Sequence, residues 1–188
     1  LDSTGAADPA LLAEGAGIIR IRSVYDLDGT ASTNIAQVAD PAQTTAAGRL
    51  ARFLRIEKAV ALPDDEVRDF DNSAFGVSTA QGMREILGYV PVEPDGSVVA
   101  KVPANVPIAL SVLNGDGRRV TSRHLNWLQV RPGEVVTCNG CHVPNSGVSH
   151  GRRDAFVSAW AGAPADGQPF PNTEPALFAD FGETMAQV

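Results

Sequence analysis

The stretch TCNGCHVPNSGVSHG, residues 137–151, holds both cysteines of this chain and two of its three histidines, His142 and His150. Thiols and imidazoles are soft metal ligands, so their concentration in one loop points to a metal or a metal-bearing cofactor. Within it, Cys138-Asn139-Gly140-Cys141-His142 has the spacing Cys-x-x-Cys-His, the attachment signal for c-type haem. Two thiols three positions apart reach the two vinyl groups of one porphyrin, and the histidine that follows is held beneath the ring with a nitrogen within reach of iron. Gly140 suits the tight turn this requires. Two other chemistries use such a pair. A zinc site would draw its remaining ligands from His124, His142 and His150, and no second cysteine pair follows. A thioredoxin-like redox pair would open a helix after a strand, whereas the surroundings here are β-rich. Haem attachment through Cys138 and Cys141, with His142 as axial ligand, ranks first.

The sixth iron position then needs an occupant. His150, across the Pro/Asn/Gly segment 143–149, is the first candidate, ahead of His124, which reads equally as a surface or outer histidine, and of Met83 and Met185. Two histidines favour electron transfer at low potential and a methionine raises the potential, while an open position permits chemistry on a small molecule. A porphyrin is a large apolar plate, so Trp127, Trp160, Phe156 and Phe170 are candidates to cover it, with Trp127 the one carried forward. Arg152, beside Arg153, is placed to pair with a haem propionate. Asp26, Asp28 and the run Asp64, Asp65, Glu66, Asp69 and Asp71 raise the question of calcium. No twelve-residue loop with a terminal Glu is present, so calcium stays a minor alternative.

The rest of the chain must position that loop. With 44% hydrophobic residues, the chain has enough apolar surface to build a core, which excludes a disordered protein. Two cysteines cannot form a disulfide scaffold for a chain of this size. Of fifteen basic residues only Lys58 and Lys101 are lysine, and the formal charge is -7; scattered basic residues on an acidic chain argue against nucleic acid as partner. No run of about 18 apolar residues is present, so no membrane span is expected, and the first residues lack the pattern of a signal peptide.

Residues 1–15 read as an N-terminal extension. From Ile18 to about Tyr25 the alternation of apolar and basic residues predicts a strand, and ARFLRIEKAVAL predicts a second. Between them, Asp28 to Gly48 reads as a surface excursion holding a short helix. TAQGMREIL suggests one or two helical turns. Then ILGYVPV, SVVAKVP, PIALSVLN, RRVTS and NWLQV form short strands punctuated at Asp95-Gly96 and Asp116-Gly117, which argues a meander or Greek key of antiparallel strands. Prolines 91, 94, 103 and 107 fit strand ends or edges. The expected fold class is mainly β, an antiparallel β-sandwich-like domain with short helices and a haem-binding loop over residues 16–175. Residues 176–188 read as a C-terminal segment leading into further chain.

The stretch YVPVEPDGSVVAKVPANVPIALSVLNGDGRRVTSRHLNWLQVRPGEVVTCNGCH resembles the haem-bearing middle domain of the hydrazine synthase alpha-subunit family, with PVEPDGS, KVPANVP, RPGE and Cys-x-x-Cys-His in that order. The resemblance covers about residues 16–175. It implies a β-sandwich-like domain carrying one c-type haem, with Cys138 and Cys141 as thioether sites and His142 as the motif histidine, set within a large exported protein after a propeller-like region. In the namesake, the resemblance places an iron-ligating tyrosine four residues after the motif histidine and diverts that histidine to zinc. Here the position is Ser146, so ordinary ligation by His142 is expected and hydrazine synthesis is not.

Together these readings predict a periplasmic or extracellular monohaem c-type cytochrome domain that carries electrons rather than catalyses. Its partners would be redox proteins or other copies of itself, within a larger multidomain chain. The alternative is a redox enzyme domain acting on a small nitrogen or oxygen compound at an open haem site.

Overall fold

Val98, Ala100 and Val102 are buried while Val99, Lys101 and Pro103 between them are exposed, a period of two that marks a strand with one face on a core. The computed structural model describes residues 2–3, 5–40, 42–61, 64, 66–67, 83–122, 124, 126–143 and 146–147. In chain order its elements are β1 (Asp2–Ser3), α1 (Pro9–Glu14), β2 (Ala16–Ile21), β3 (Asp26–Leu27), β4 (Thr30–Ala31), α2 (Ile35–Ala39), a 3-10 turn (Ala46–Gly48), β5 (Phe53–Val60), β6 (Met83–Pro91), β7 (Val98–Pro103), β8 (Ile108–Leu113) and β9 (Val135–Cys138). The fold is mainly β and sandwich-like.

One sheet has the order β1-β9-β2-β7 and the other β6-β5-β8, with β3 and β4 forming a small ribbon. Ile19 and Ile21 of β2, Val98, Ala100 and Val102 of β7 and Val136 of β9 share one core cluster with Leu54 and Ile56 of β5 and Ile108 and Val112 of β8. Both sheets therefore contribute inner faces to a common core. Each fully buried aliphatic side chain there contributes roughly 1.5–3 kcal/mol relative to an exposed one.

Among the described strands all pairings are antiparallel but one: β2 and β9 run parallel, with Ile18 opposite Val135 and Ile21 opposite Cys138. Of the expected meander or Greek key, the sequential meander is not formed. β6 and β7 lie in different sheets, as do β7 and β8, so the Asp95-Gly96 turn carries the chain across the sandwich instead of closing a hairpin. The helical turns expected around TAQGMREIL give way to strand from Met83 onward, because β5 pairs with this segment along its whole length, from Val60–Met83 to Phe53–Pro91. RRVTS and NWLQV contribute single bridges, Leu113–Arg119 and Ile108–Leu128, not strands. Residues 1–15 hold β1, paired to β9, and α1. Asp8 caps α1 by accepting from the Ala10 and Leu11 N–H groups at 2.9 and 3.2 Å, Pro9 occupies its first turn, and Gly15 ends it in the left-handed conformation. The readings of residues 151–188, and most of the acidic loop after Pro63, lie outside the described residues.

Ile19 is 1% exposed at the centre of the core. Ile19→Ala is expected to lower unfolding free energy by about 2–5 kcal/mol, seen as a lower midpoint in a urea titration followed by tryptophan fluorescence. An unchanged midpoint would contradict the packing described.

Candidate functional site

The parallel pairing of β2 with β9 does not stop where the strands end. The Arg22 N–H donates to the Cys138 carbonyl at 2.9 Å and the Ser23 N–H to that of Asn139 at 3.3 Å. Further on, the Cys141 N–H donates to the Asp26 carbonyl at 2.8 Å and the Asp28 N–H to the Cys141 carbonyl at 3.1 Å. The Asp28 carboxylate then accepts the Val143 N–H at 2.8 Å. Residues 22–28 thus clamp the Cys-x-x-Cys-His pentapeptide along its length. At Gly140 the two segments come so near that a Cβ there would collide with Asp26 and the backbone of Ser23. The interior glycine of the motif is required by this contact.

The clamp is itself braced. The Ser23 hydroxyl donates to the Asp95 carbonyl at 2.7 Å and the Val24 N–H to that of Gly96 at 2.8 Å. Gly96 has φ +85°, and a Cβ on it would meet Ser23 and the Tyr25 ring; a left-handed turn pressed against an aromatic ring admits only glycine. From the other side, Leu27-Asp28-Gly29-Thr30 forms a two-residue hairpin with positive φ at both central residues, 52° and 88°, the geometry that Asp-Gly favours. Asp28 was missed as a supporting residue. The signal was the Asp-Gly dipeptide between short β-forming runs, read instead as the start of a polar excursion.

Cys138 and Cys141 are both free thiols with partial solvent contact. Burial raises the pKa of Cys138. That of Cys141 is pushed up to about 12, first by burial and then by the negative fields of Cys138, Asp26 and Asp28. His142 is exposed, and with Val143 it lines a cavity of about 220 Å³ whose other walls include Tyr25, Leu27, Leu50 and Val112. Tyr25 is fully buried there and its hydroxyl lies against the Ala51 backbone. Leu50 and Val143 at this site are 51% and 46% exposed, apolar surface that water covers poorly. Cys138 lines a second cavity of about 170 Å³ with Ile19, Leu128, Val130 and Val136.

His124, half-buried, is brought next to His142, with ring centroids 6.2 Å apart. Trp127, expected to cover the cofactor, packs on β6. Its indole lies 4.4 Å from the Arg84 guanidinium of β6, and both cavities at the loop are lined by other residues. Met83 opens β6 opposite Val60. Asp26 accepts the Gly29 N–H at 2.7 Å, so Asp26 and Asp28, two of the residues considered for calcium, serve the turn and the clamp. Among the described residues, no three His, Cys, Asp or Glu side chains gather as a metal site. His150 and Arg152 lie outside the described residues, as do Arg153, Phe156, Trp160, Phe170 and Met185.

Residues 24–143 match the family model described as the hydrazine synthase alpha subunit middle domain, which is more than half of the chain. The chain belongs to that family. The matched span begins inside the clamp and ends one residue beyond the motif histidine. Hydrazine synthase subunit alpha of Kuenenia stuttgartiensis is 36% identical over 72 residues, which is 38% of this chain and 9% of that relative. A solved chain of Kuenenia stuttgartiensis hydrazine synthase superposes with a TM-score of 0.49 at 19% identity, covering 72% of this chain and 19% of that one. This middle-domain chain thus spans a small part of either relative.

Gly140→Ala is expected to destabilise by about 1–3 kcal/mol through overpacking. Gly88→Ala, where a Cβ meets nothing within 4 Å, should stay within about 0.5 kcal/mol of the parent. Thermal melts of both variants check this pair, and equal melts would contradict the clamp. The raised pKa of Cys141 leaves less thiolate at a given pH. With both thiols free at pH 8, native Cys141 should therefore react with iodoacetamide about a thousandfold more slowly than in urea, since the thiolate is the nucleophile. A peptide-resolved mass-spectrometric time course reads this, and equal native and unfolded rates would refute it.

Proposed function

We propose that this domain is a monohaem c-type cytochrome domain that transfers electrons, with haem c joined to Cys138 and Cys141 and held on its iron by His142. The observation that carries the reading is the Cys-x-x-Cys-His loop clamped to residues 22–28 with His142 exposed at the mouth of an apolar cavity. Haem c, when bound, supplies a one-electron couple on iron. The residues present fit it. Both thiols are free to form thioethers, and a thioether carries no charge to desolvate. The competing zinc reading would need thiolates in a place where burial and the nearby Asp26 and Asp28 disfavour negative charge. The exposed apolar side chains of Leu50 and Val143 beside His142 offer cover to a porphyrin face.

The chain's own part in electron transfer is rigidity. Cys141 is fastened through both its N–H and its carbonyl, and the N–H of Val143, just after His142, through the Asp28 carboxylate. A ligand whose backbone is pinned on both sides moves little when the iron changes charge, and small reorganisation favours fast transfer. The exposure of His142 supports a cofactor held near the surface, where redox partner proteins or other copies of this domain could approach. Attachment of haem c takes place outside the cytoplasm in bacteria, which supports a periplasmic or extracellular location. Arg152 is proposed to pair with a propionate. Trp127 belongs to this proposal only as an outer aromatic, since its indole is engaged by Arg84. Hydrazine synthesis is not proposed: Ser146 stands at the position of the tyrosine ligand that the family resemblance implies, and its N–H donates to the Val143 carbonyl at 3.1 Å.

Produced with haem-attachment machinery and purified, the protein should show a sharp low-spin c-type spectrum on dithionite reduction, indifferent to carbon monoxide. A high-spin spectrum that shifts with the gas would replace the electron carrier by a redox enzyme domain with an open iron. Absence of any haem band would overturn both.

A further inference from the structure

We propose that His124 is the second axial ligand of the iron held by His142, the two imidazoles gripping it from opposite faces. This rests on the haem reading above and names the group that completes it. The two rings lie with centroids 6.2 Å apart and planes crossed at 71°. With metal–imidazole bonds of about 2.0–2.1 Å, two imidazoles on opposite sides of one metal hold their centroids about 6.3 Å apart, whereas two at a tetrahedral angle hold them about 5 Å apart. The observed separation matches the value that trans ligation requires. Crossed planes are compatible with it, because each imidazole must stand upright on the porphyrin but is free to rotate about the metal–nitrogen axis.

Both histidines are on fixed supports, so their separation is set by the fold. Val120, upstream of His124, donates its N–H to the Val112 carbonyl at 2.9 Å. Downstream, Leu128 and Ile108 exchange backbone hydrogen bonds at 2.8 Å each. The segment bearing His124 is thereby tied to β8 at both ends. His142 is pinned through Cys141 and Val143 to Asp28. Val120, Thr121 and Ser122, two to four residues before His124, line the same cavity as His142 and Val143. A plate inserted between the two rings would therefore meet apolar Val120 and Val143 as well as the hydroxyls of Thr121 and Ser122. His150 was the first sequence candidate for this position because it shares the loop with His142. The fold, however, brings a histidine from eighteen residues upstream in the sequence against the motif histidine.

The test uses the haem-loaded full chain and its His124→Ala, His124→Met and His150→Ala variants, with optical spectra of both oxidation states, carbon monoxide binding and redox potential as readouts. The parent and His150→Ala should be low-spin and indifferent to the gas. His124→Ala should lose the low-spin spectrum and bind carbon monoxide, and added imidazole should restore the low-spin form, a rescue that misfolding would not allow. His124→Met should remain low-spin with a raised potential, as methionine ligation does. A low-spin spectrum retained in His124→Ala but lost in His150→Ala would overturn the proposal while leaving the haem reading intact, as would a parent that already binds carbon monoxide. A parent with no covalent haem would fail the haem reading itself.

Discussion

The parallel alignment of residues 18–28 with residues 135–143 is the constraint on which the rest of the structure depends. It begins as an ordinary ladder between β2 and β9 and continues past both strand ends as the clamp on the Cys-x-x-Cys-His loop. Parallel strands cannot be joined by a tight turn, so the intervening chain must make a long excursion before it returns. That excursion supplies the second sheet, β5, β6 and β8, and β7 beside β2. It also supplies the Asp95-Gly96 turn that braces Ser23 and Tyr25 from behind. The loop is thus held by layers of support: Gly96 permits the turn, the turn fixes Ser23, and residues 22–28 fix the motif.

This arrangement gives the PVEPDGS segment a physical role. Pro94, Asp95 and Gly96 are nearly fully buried, unusual for a polar turn. Asp95 accepts the Ser97 N–H at 2.9 Å, and the Gly96 N–H donates to the Glu93 carbonyl at 2.8 Å. A turn that satisfies its own polar groups can be buried at low cost, and so can serve as an interior strut rather than a surface corner.

Much of the fold was legible because its strands obey a local rule. Alternation in Val98–Pro103 and the largely apolar run Ile108–Leu113 reflect one-sided or full burial and are visible without knowing the partner strand. The Cys-x-x-Cys-His spacing is also local, and so was the candidate loop. What failed to show was non-local. Asp95-Gly96 carries the residues of a hairpin turn, yet which sheet the next strand enters is decided by core packing across the sandwich. Met83–Leu87 has residues a helix would accept, and pairing with β5 overrides that propensity. Asp28 acquires its meaning only because Val143 lies opposite, 115 residues away. The approach of His124 to His142 is a tertiary fact of the same kind.

The central claim is that this loop carries a covalent cofactor, and the most direct test is the intact mass of the denatured protein after production with haem-attachment machinery, followed by mapping of the peptide spanning 137–143. The account predicts a mass raised by one haem that survives denaturation, with both Cys138 and Cys141 blocked to alkylation. An unmodified mass with two alkylatable thiols would contradict it.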